Sequence, residues 1–241
     1  MKIALIGYGK MGHLIEKIAR ERGHDIVSII DVDNTADFDS PEFASADIAI
    51  EFTTPHTAAA NCRRAIAKGV GVVSGSTGWG AELPAVEQEA RQAGVSMLWS
   101  SNFSIGVNIF MAINRRLAEI MAKFPQYHPS MTETHHVHKL DHPSGTAVTL
   151  ADQIVAADPN VGSWVEEAPA PADALIVSHV RRGEVPGIHE IVWDSPIDSI
   201  TIAHSAKTRE GFALGAVMAA EWLREHPGVH TMDEVMADLL A

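Results

Sequence analysis

The chain has 241 residues, 46% of them hydrophobic and 20% charged, a composition that fits an ordinary globular protein with room for one large domain or two modest ones. A net charge of −13 repels phosphate backbones and anionic lipid, and the pairs Arg63-Arg64, Arg115-Arg116 and Arg181-Arg182 are too isolated to form a basic patch, so no nucleic-acid or membrane partner is expected. The single cysteine, Cys62, excludes an intrachain disulfide and a cysteine-rich metal site; it reads as a small apolar residue on a helix in a reducing compartment.

Lys2–Ile6 is a short aliphatic run that reads as a strand, followed by Gly-x-Gly-x-x-Gly and a helix from about Met11 to Arg22. Strands are then expected at His24–Ile30, Asp47–Phe52, Gly71–Ser74 and Val95–Trp99, with helices near Thr57–Lys68 and Glu82–Ala93. Such alternation implies a doubly wound, Rossmann-like parallel sheet of the α/β class, covered on both faces. A long helix at about Val107–Phe124 changes the pattern. It leads to a strand-like Pro129–His136, a helix near Thr146–Ala157, and three consecutive strands at Ala174–Arg181, His189–Trp193 and Ser199–Ala203, hence a second, α+β domain with an antiparallel or mixed sheet. Val161–Ala172 reads as a solvent loop, and helices at Glu210–Arg224 and Thr231–Leu240 close the chain and can return to the first domain. The expected domains are therefore 1–106 with 207–241 and, between them, 107–206. No stretch approaches the roughly 18 apolar residues of a membrane span, and a first strand at Lys2 leaves no room for a targeting peptide, so a cytoplasmic location is expected.

Gly7-Tyr8-Gly9-Lys10-Met11-Gly12 lies between a strand and a helix, the context in which Gly7 makes a tight turn, Gly9 admits a pyrophosphate and Gly12 lets helix and strand pack closely. Asp31, at the end of the second strand, can accept hydrogen bonds from a ribose. Phe52-Thr53-Thr54-Pro55 and Gly75-Ser76-Thr77-Gly78 follow later strands, on the edge where such sheets bind ligands; both also suit plain turns. The densest polar cluster is Glu133–Ala147, with four histidines, Lys139 and a Ser144-Gly145-Thr146 helix start. His135 and His136 would point to opposite sides of a strand, against joint metal ligation, and no metal is expected. A histidine near pKa ~6.5 is a suitable proton donor. Lys139 and the helix start suit a carboxylate, although Ser144 also reads as a simple N-cap.

The segment from Glu133 to Ala147 resembles the motif of the 4-hydroxy-tetrahydrodipicolinate (dihydrodipicolinate) reductase family, Glu-x-His-His-x-x-Lys-x-Asp-x-Pro-Ser-Gly-Thr-Ala, at every fixed position. Gly75–Gly78, Asn102–Asn108, Arg181–His189 and the Phe212–Ala216 helix fall in family order. The resemblance implies hydride transfer from NADH or NADPH to a cyclic dicarboxylate on the way to diaminopimelate and lysine, in a homotetramer. It implies His135 as general acid, Lys139 in catalysis and substrate binding, and His136, Ser144, Gly145 and Thr146 as carboxylate contacts. Gly7, Gly9, Lys10, Met11, Gly12, Asp31, Phe52, Thr53, Gly75, Ser76, Thr77, Ser101, Asn102 and Phe103 fall on the cofactor side. The chain is somewhat short for the family, and Val32 follows Asp31 where some members carry a basic residue. With Asp33 close by, that favours NADH over NADPH, Lys10 being the one nearby cation expected to soften the repulsion of a 2′-phosphate. Lys139 is expected to depress the pKa of His135. A dehydrogenase acting on aspartate or homoserine, or a silent dinucleotide sensor, would share the glycine loop but has no evident use for the cluster.

Overall fold

A computed structural model describes residues 1–166 and 168–240. The chain runs β1 (Lys2–Ile6), α1 (Lys10–Glu21), β2 (Asp25–Ile30), a 3-10 turn (Thr35–Asp39), α2 (Pro41–Ala44), β3 (Ile48–Glu51), α3 (Ala58–Ala67), β4 (Gly71–Ser74), α4 (Leu83–Ala93) and β5 (Met97–Trp99). It continues through α5 (Ile105–Met121), β6 (His128–His135), α6 (Gly145–Ala157), β7 (Ser163–Val165), β8 (Ala174–Arg181), β9 (Ile188–Asp194) and β10 (Ser199–Ser205). It ends with α7 (Glu210–Glu225), β11 (Val229–Thr231) and α8 (Met232–Leu239). Two compact units result, Met1–Ile105 with Glu210–Ala241, and Gly106–Arg209.

The first unit is a six-stranded, wholly parallel sheet in the order β11-β5-β4-β3-β1-β2. Alternation along the strands sends Ile3 and Leu5 to one face, against α1, α7 and α8, and Ala4 and Ile6 to the other, against α3 and α4. On α1 the inward residues are Gly12, Ile15, Ile18 and Ala19, the three-to-four spacing of a helix with one buried stripe. Three elements were not foreseen from sequence: the turn at Thr35–Asp39, α2, and β11, which extends the sheet beside β5.

In the second unit a five-stranded mixed sheet runs β10-β9-β6-β8-β7. Leu150 and Ile154 of α6 and Phe110, Ala118 and Met121 of α5 pack on the face that carries Met131, Leu175, Val177, Ile191 and Trp193. The opposite face keeps Val180 exposed, while Ile200, opposite Trp193, is an exposed residue at the edge of the covered face. Val161–Ala172 is not wholly a solvent loop: Ser163–Val165 pairs in parallel with β8. Three residues are too few to show a period of two, and the surrounding proline and acidic residues masked them. β6 ends at His135, so His136 opens a loop and does not occupy the other side of a strand.

Candidate active site

In the first sheet the strand order reverses at β1, with β2 on one side and β3 on the other, and an open parallel sheet binds ligands at such a switch point. Gly7 leaves β1 at φ +91°, where a Cβ would stand 2.1 Å from the Phe52 carbonyl oxygen. At Gly12 a Cβ would lie 2.4 Å from the Gly7 carbonyl, so α1 approaches the loop only with glycine there. Gly9 is exposed and a Cβ on it would meet nothing; α1 begins there with no acidic residue in its first turn and no side-chain cap. Open space over uncapped amides and a positive dipole end fits a diphosphate.

A cavity of about 460 Å³ extends over Gly7, Gly9, Asp31, Val32, Phe52 and Thr53. A second, of about 340 Å³, covers Lys10, Met11, Gly75, Ser76 and Thr77, and the two share Gly9, Phe52 and Thr53. Most of the expected cofactor residues thus surround one continuous groove. Gly12 supports it from behind. Ser101, Asn102 and Phe103 border neither cavity: Ser101 is exposed, Asn102 Oδ1 accepts the Ser104 amide at 2.9 Å, and Phe103 is buried 6.0 Å from the Phe52 ring.

Two residues that line neither cavity but hold residues that do were given no role from sequence. Glu51, at the end of β3, is fully buried. Its carboxylate accepts hydrogen bonds from the Thr53 amide (3.0 Å) and hydroxyl, Ser74 Oγ (2.6 Å) and Ser76 Oγ (2.8 Å), tying both loops of the second cavity together. Arg64 lies over the Phe38 ring at 4.1 Å and donates to the carbonyl of Thr35, a residue that borders the first cavity, at 2.7 Å.

The second unit assembles its polar cluster by strand register. Glu133 of β6 pairs with His179 of β8 and His189 of β9, and His135 pairs with Arg181. Glu133, with no exposed surface, accepts the Ser144 amide at 3.0 Å on one oxygen and Arg181 Nη2 at 3.2 Å on the other. Arg181 also donates to the carbonyls of Asp141 (2.7 Å) and Lys139 (3.2 Å), so one guanidinium fastens the 139–141 loop to the carboxylate. Ser144 caps α6, accepting the Ala147 amide at 3.2 Å, and its hydroxyl lies 3.2 Å from His189 Nε2. Gly145 is exposed and Thr146 half-buried on the first turn. Lys139 Nζ is paired with Asp141 at 2.8 Å.

His135 is buried, its ring in edge contact with His189 at 5.2 Å and its Nδ1 3.5 Å from the Glu133 carboxylate. Beside it, a Cβ on Gly187 would stand 3.1 Å from Nε2. Burial pushes His135 below the ordinary histidine range; Glu133 opposes this, while Lys139 and Arg181 add to it. The depression expected from Lys139 is therefore present, with burial its main cause. His189 is pushed down to about 4, by burial first and then by His135. Burial alone would raise Glu133, but the Ser144 hydrogen bonds, His135 and Arg181 hold its carboxyl below the usual range. His136 is half-buried beside His138, ring centroids 6.0 Å apart. Sequence reading assigned no role to Glu133, Arg181 or His189; their spacing carries no local pattern, because only the register of three strands makes them neighbours.

Residues 1–103 match the family model described as dihydrodipicolinate reductase, N-terminus, and residues 106–236 match its C-terminus counterpart. The chain belongs to the dihydrodipicolinate reductase family. It is 41% identical over 239 residues to the 4-hydroxy-tetrahydrodipicolinate reductase of Christiangramia forsetii, covering 99% of both chains. It is 34% identical to that of Archaeoglobus fulgidus, across 98% of this chain and 100% of the relative. Among solved structures, dipicolinate-bound dihydrodipicolinate reductase from Paenisporosarcina sp. TG-14 shares the fold, with a TM-score of 0.76 at 21% identity, over 96% of this chain and 97% of that one. An amine dehydrogenase from Mycobacterium smegmatis shares it more loosely, at a TM-score of 0.56 and 14% identity over 97% and 95% of the two chains. The family's Rossmann-like fold thus also carries other chemistry, and the cluster around Glu133 has to distinguish the substrate. No helix among the described residues is long and apolar enough to cross a membrane.

Proposed function

We propose that this chain reduces the cyclic dicarboxylate 4-hydroxy-tetrahydrodipicolinate to tetrahydrodipicolinate, a step toward diaminopimelate and lysine, as the names of its relatives indicate. The observation that carries this reading is the convergence of His135, Ser144 and the start of α6 on buried Glu133 within the matching segment. A bound NADH or NADPH supplies the hydride. In the first unit, the dinucleotide-binding domain, the Gly7–Gly12 loop receives the diphosphate, Asp31 the ribose hydroxyls, and Phe52, Thr53 and Gly75–Thr77 flank the nicotinamide. Ser101, Asn102 and Phe103 support that end through the chain and core they belong to. Asp31 favours NADH, since a 2′-phosphate would meet its like charge.

The second unit is the substrate domain. His136, Ser144, Gly145 and Thr146 contact the carboxylates with donors and a helix N-terminus. Hydride arrival pushes electrons toward the ring nitrogen, and His135 protonates the resulting enamine. Burial disfavours the charged imidazole, and the substrate's negative charge alongside would favour it. Lys139 exchanges Asp141 for the substrate and counters the developing charge. The bare face of the second sheet, with Val180 exposed on it, is the surface through which copies would form a cytoplasmic homotetramer. The test is NADH oxidation, followed by absorbance, on adding freshly condensed pyruvate and aspartate semialdehyde. Absence of any NADH oxidation that depends on the condensation product would overturn this function.

A further inference from the structure

We propose that His142, Glu166 and His179 form a binding site for one divalent transition-metal ion of the zinc type. The three come from separate segments: the loop before α6, the residue after β7, and β8. They nevertheless converge, all three donor atoms lying within 4.8 Å of one another. A single oxygen of Glu166 stands 2.7 Å from His142 Nδ1 and 3.7 Å from His179 Nδ1. Among the described residues His179 Nδ1 is buried without a hydrogen-bond partner, so one ring nitrogen of this cluster is left unpaired. Neither histidine belongs to the proposed reaction, and position 142 is one of the variable places in the motif.

Zinc takes imidazole nitrogen at about 2.0–2.1 Å and carboxylate oxygen at about 2.0–2.2 Å, which sets tetrahedral donors roughly 3.3–3.5 Å apart. The Glu166 separations bracket that spacing. The rings are stacked, centroids 4.2 Å apart and planes 17° from parallel, so both nitrogens cannot aim at one point as they stand. His142 is half exposed, and rotation about its Cβ–Cγ bond tips Nδ1 toward the ion while displacing the proton it shares with Glu166. Two imidazoles and a carboxylate leave a fourth position for water. The bound ion would fasten the loop at His142 to β7 and β8, next to where Arg181 already holds Asp141.

The test is equilibrium dialysis of the purified chain against Zn²⁺, with Co²⁺ absorption reporting geometry. One ion per chain, tetrahedral Co²⁺ bands, and at least tenfold weaker binding in both His142→Ala and Glu166→Gln are expected. His142→Ala is a surface change whose folding is checked by circular dichroism. A His189→Asn control should leave the affinity unchanged, because Glu133, His135 and His189 form a second, buried trio of donors. No binding, binding that survives loss of His142 and Glu166, or binding abolished by His189→Asn would each overturn the assignment.

Discussion

Replacing Arg181 with methionine keeps an aliphatic stem on β8 but removes the guanidinium that joins Glu133, Lys139 and Asp141. Deleting one partner of a buried ion pair costs about 3–5 kcal/mol. Here water already screens part of it, the Arg181 side chain being 19% exposed, and Glu133 retains the Ser144 amide. The two carbonyls released at 139 and 141 lie on the exposed loop side and recover hydrogen bonds to water, so their loss adds little. A destabilisation of about 2–4 kcal/mol at pH 7 is expected. Glu133 is held below its unfolded value of 4.5, so its contribution is fully present above that pH and is lost as pH falls through the folded value. The difference between wild type and variant should therefore narrow on acidification. Removing a nearby positive charge should also raise the pKa of His135. Hydrogen exchange of the β6 and β8 amides measures the stability, and the His135 ring resonance gives the titration. A difference under about 0.5 kcal/mol at pH 7, or one that grows toward acid pH, would refute this account of the cluster.

Glu51→Gln leaves an amide that Ser74 can meet by accepting, so its bonds weaken and are not lost; about 1–2 kcal/mol of stability should go, with a several-fold rise in the NADH dissociation constant by fluorescence titration. Unchanged binding would show that Thr53 and Ser76 need no tie. His135→Gln should lower kcat by roughly 10²–10⁴-fold with dicarboxylate affinity nearly retained, which single-turnover kinetics beside inhibitor titration would resolve; full activity would place the proton donor elsewhere. Wild-type enzyme should use NADH at least as well as NADPH, and Asp31→Ser should move that ratio toward NADPH in paired steady-state titrations. A tenfold wild-type preference for NADPH, about 1.4 kcal/mol, would contradict the role given to Asp31.

The parallel sheet was legible in the sequence because its signals are local: aliphatic runs such as Gly71–Ser74, alternating with helices whose apolar stripes have one period. The glycine loop was legible because its glycines stand at fixed spacing between a strand and a helix, although the close contact at Gly7 comes from Phe52, beyond β3, and only that at Gly12 arises inside the loop. Glu51 was not. It sits in an apolar strand as an ordinary acid, and only the distant hydroxyls of Ser74 and Ser76 make it a centre. Likewise Glu133 meets Arg181 of β8 and His189 of β9, both distant in the chain, through strand register. The histidine-rich segment pointed to the loop whose backbone Arg181 ties to Glu133, yet the strand ends at His135, so the alternation expected of His135 and His136 does not apply.

Cys62 has no exposed surface on α3, and burial together with the neighbouring Glu51 carboxylate pushes its thiol far above the ordinary range. It is also the chain's one cysteine. A thiol reagent can reach it only when α3 lifts from the sheet, so the labelling rate counts excursions of the first unit and is blind to the second. The molecule thus carries its own clock for one half of its architecture. A nucleotide that stabilises the first unit should slow that clock in proportion to its occupancy, whereas an ion at His142 should leave it running at the same pace.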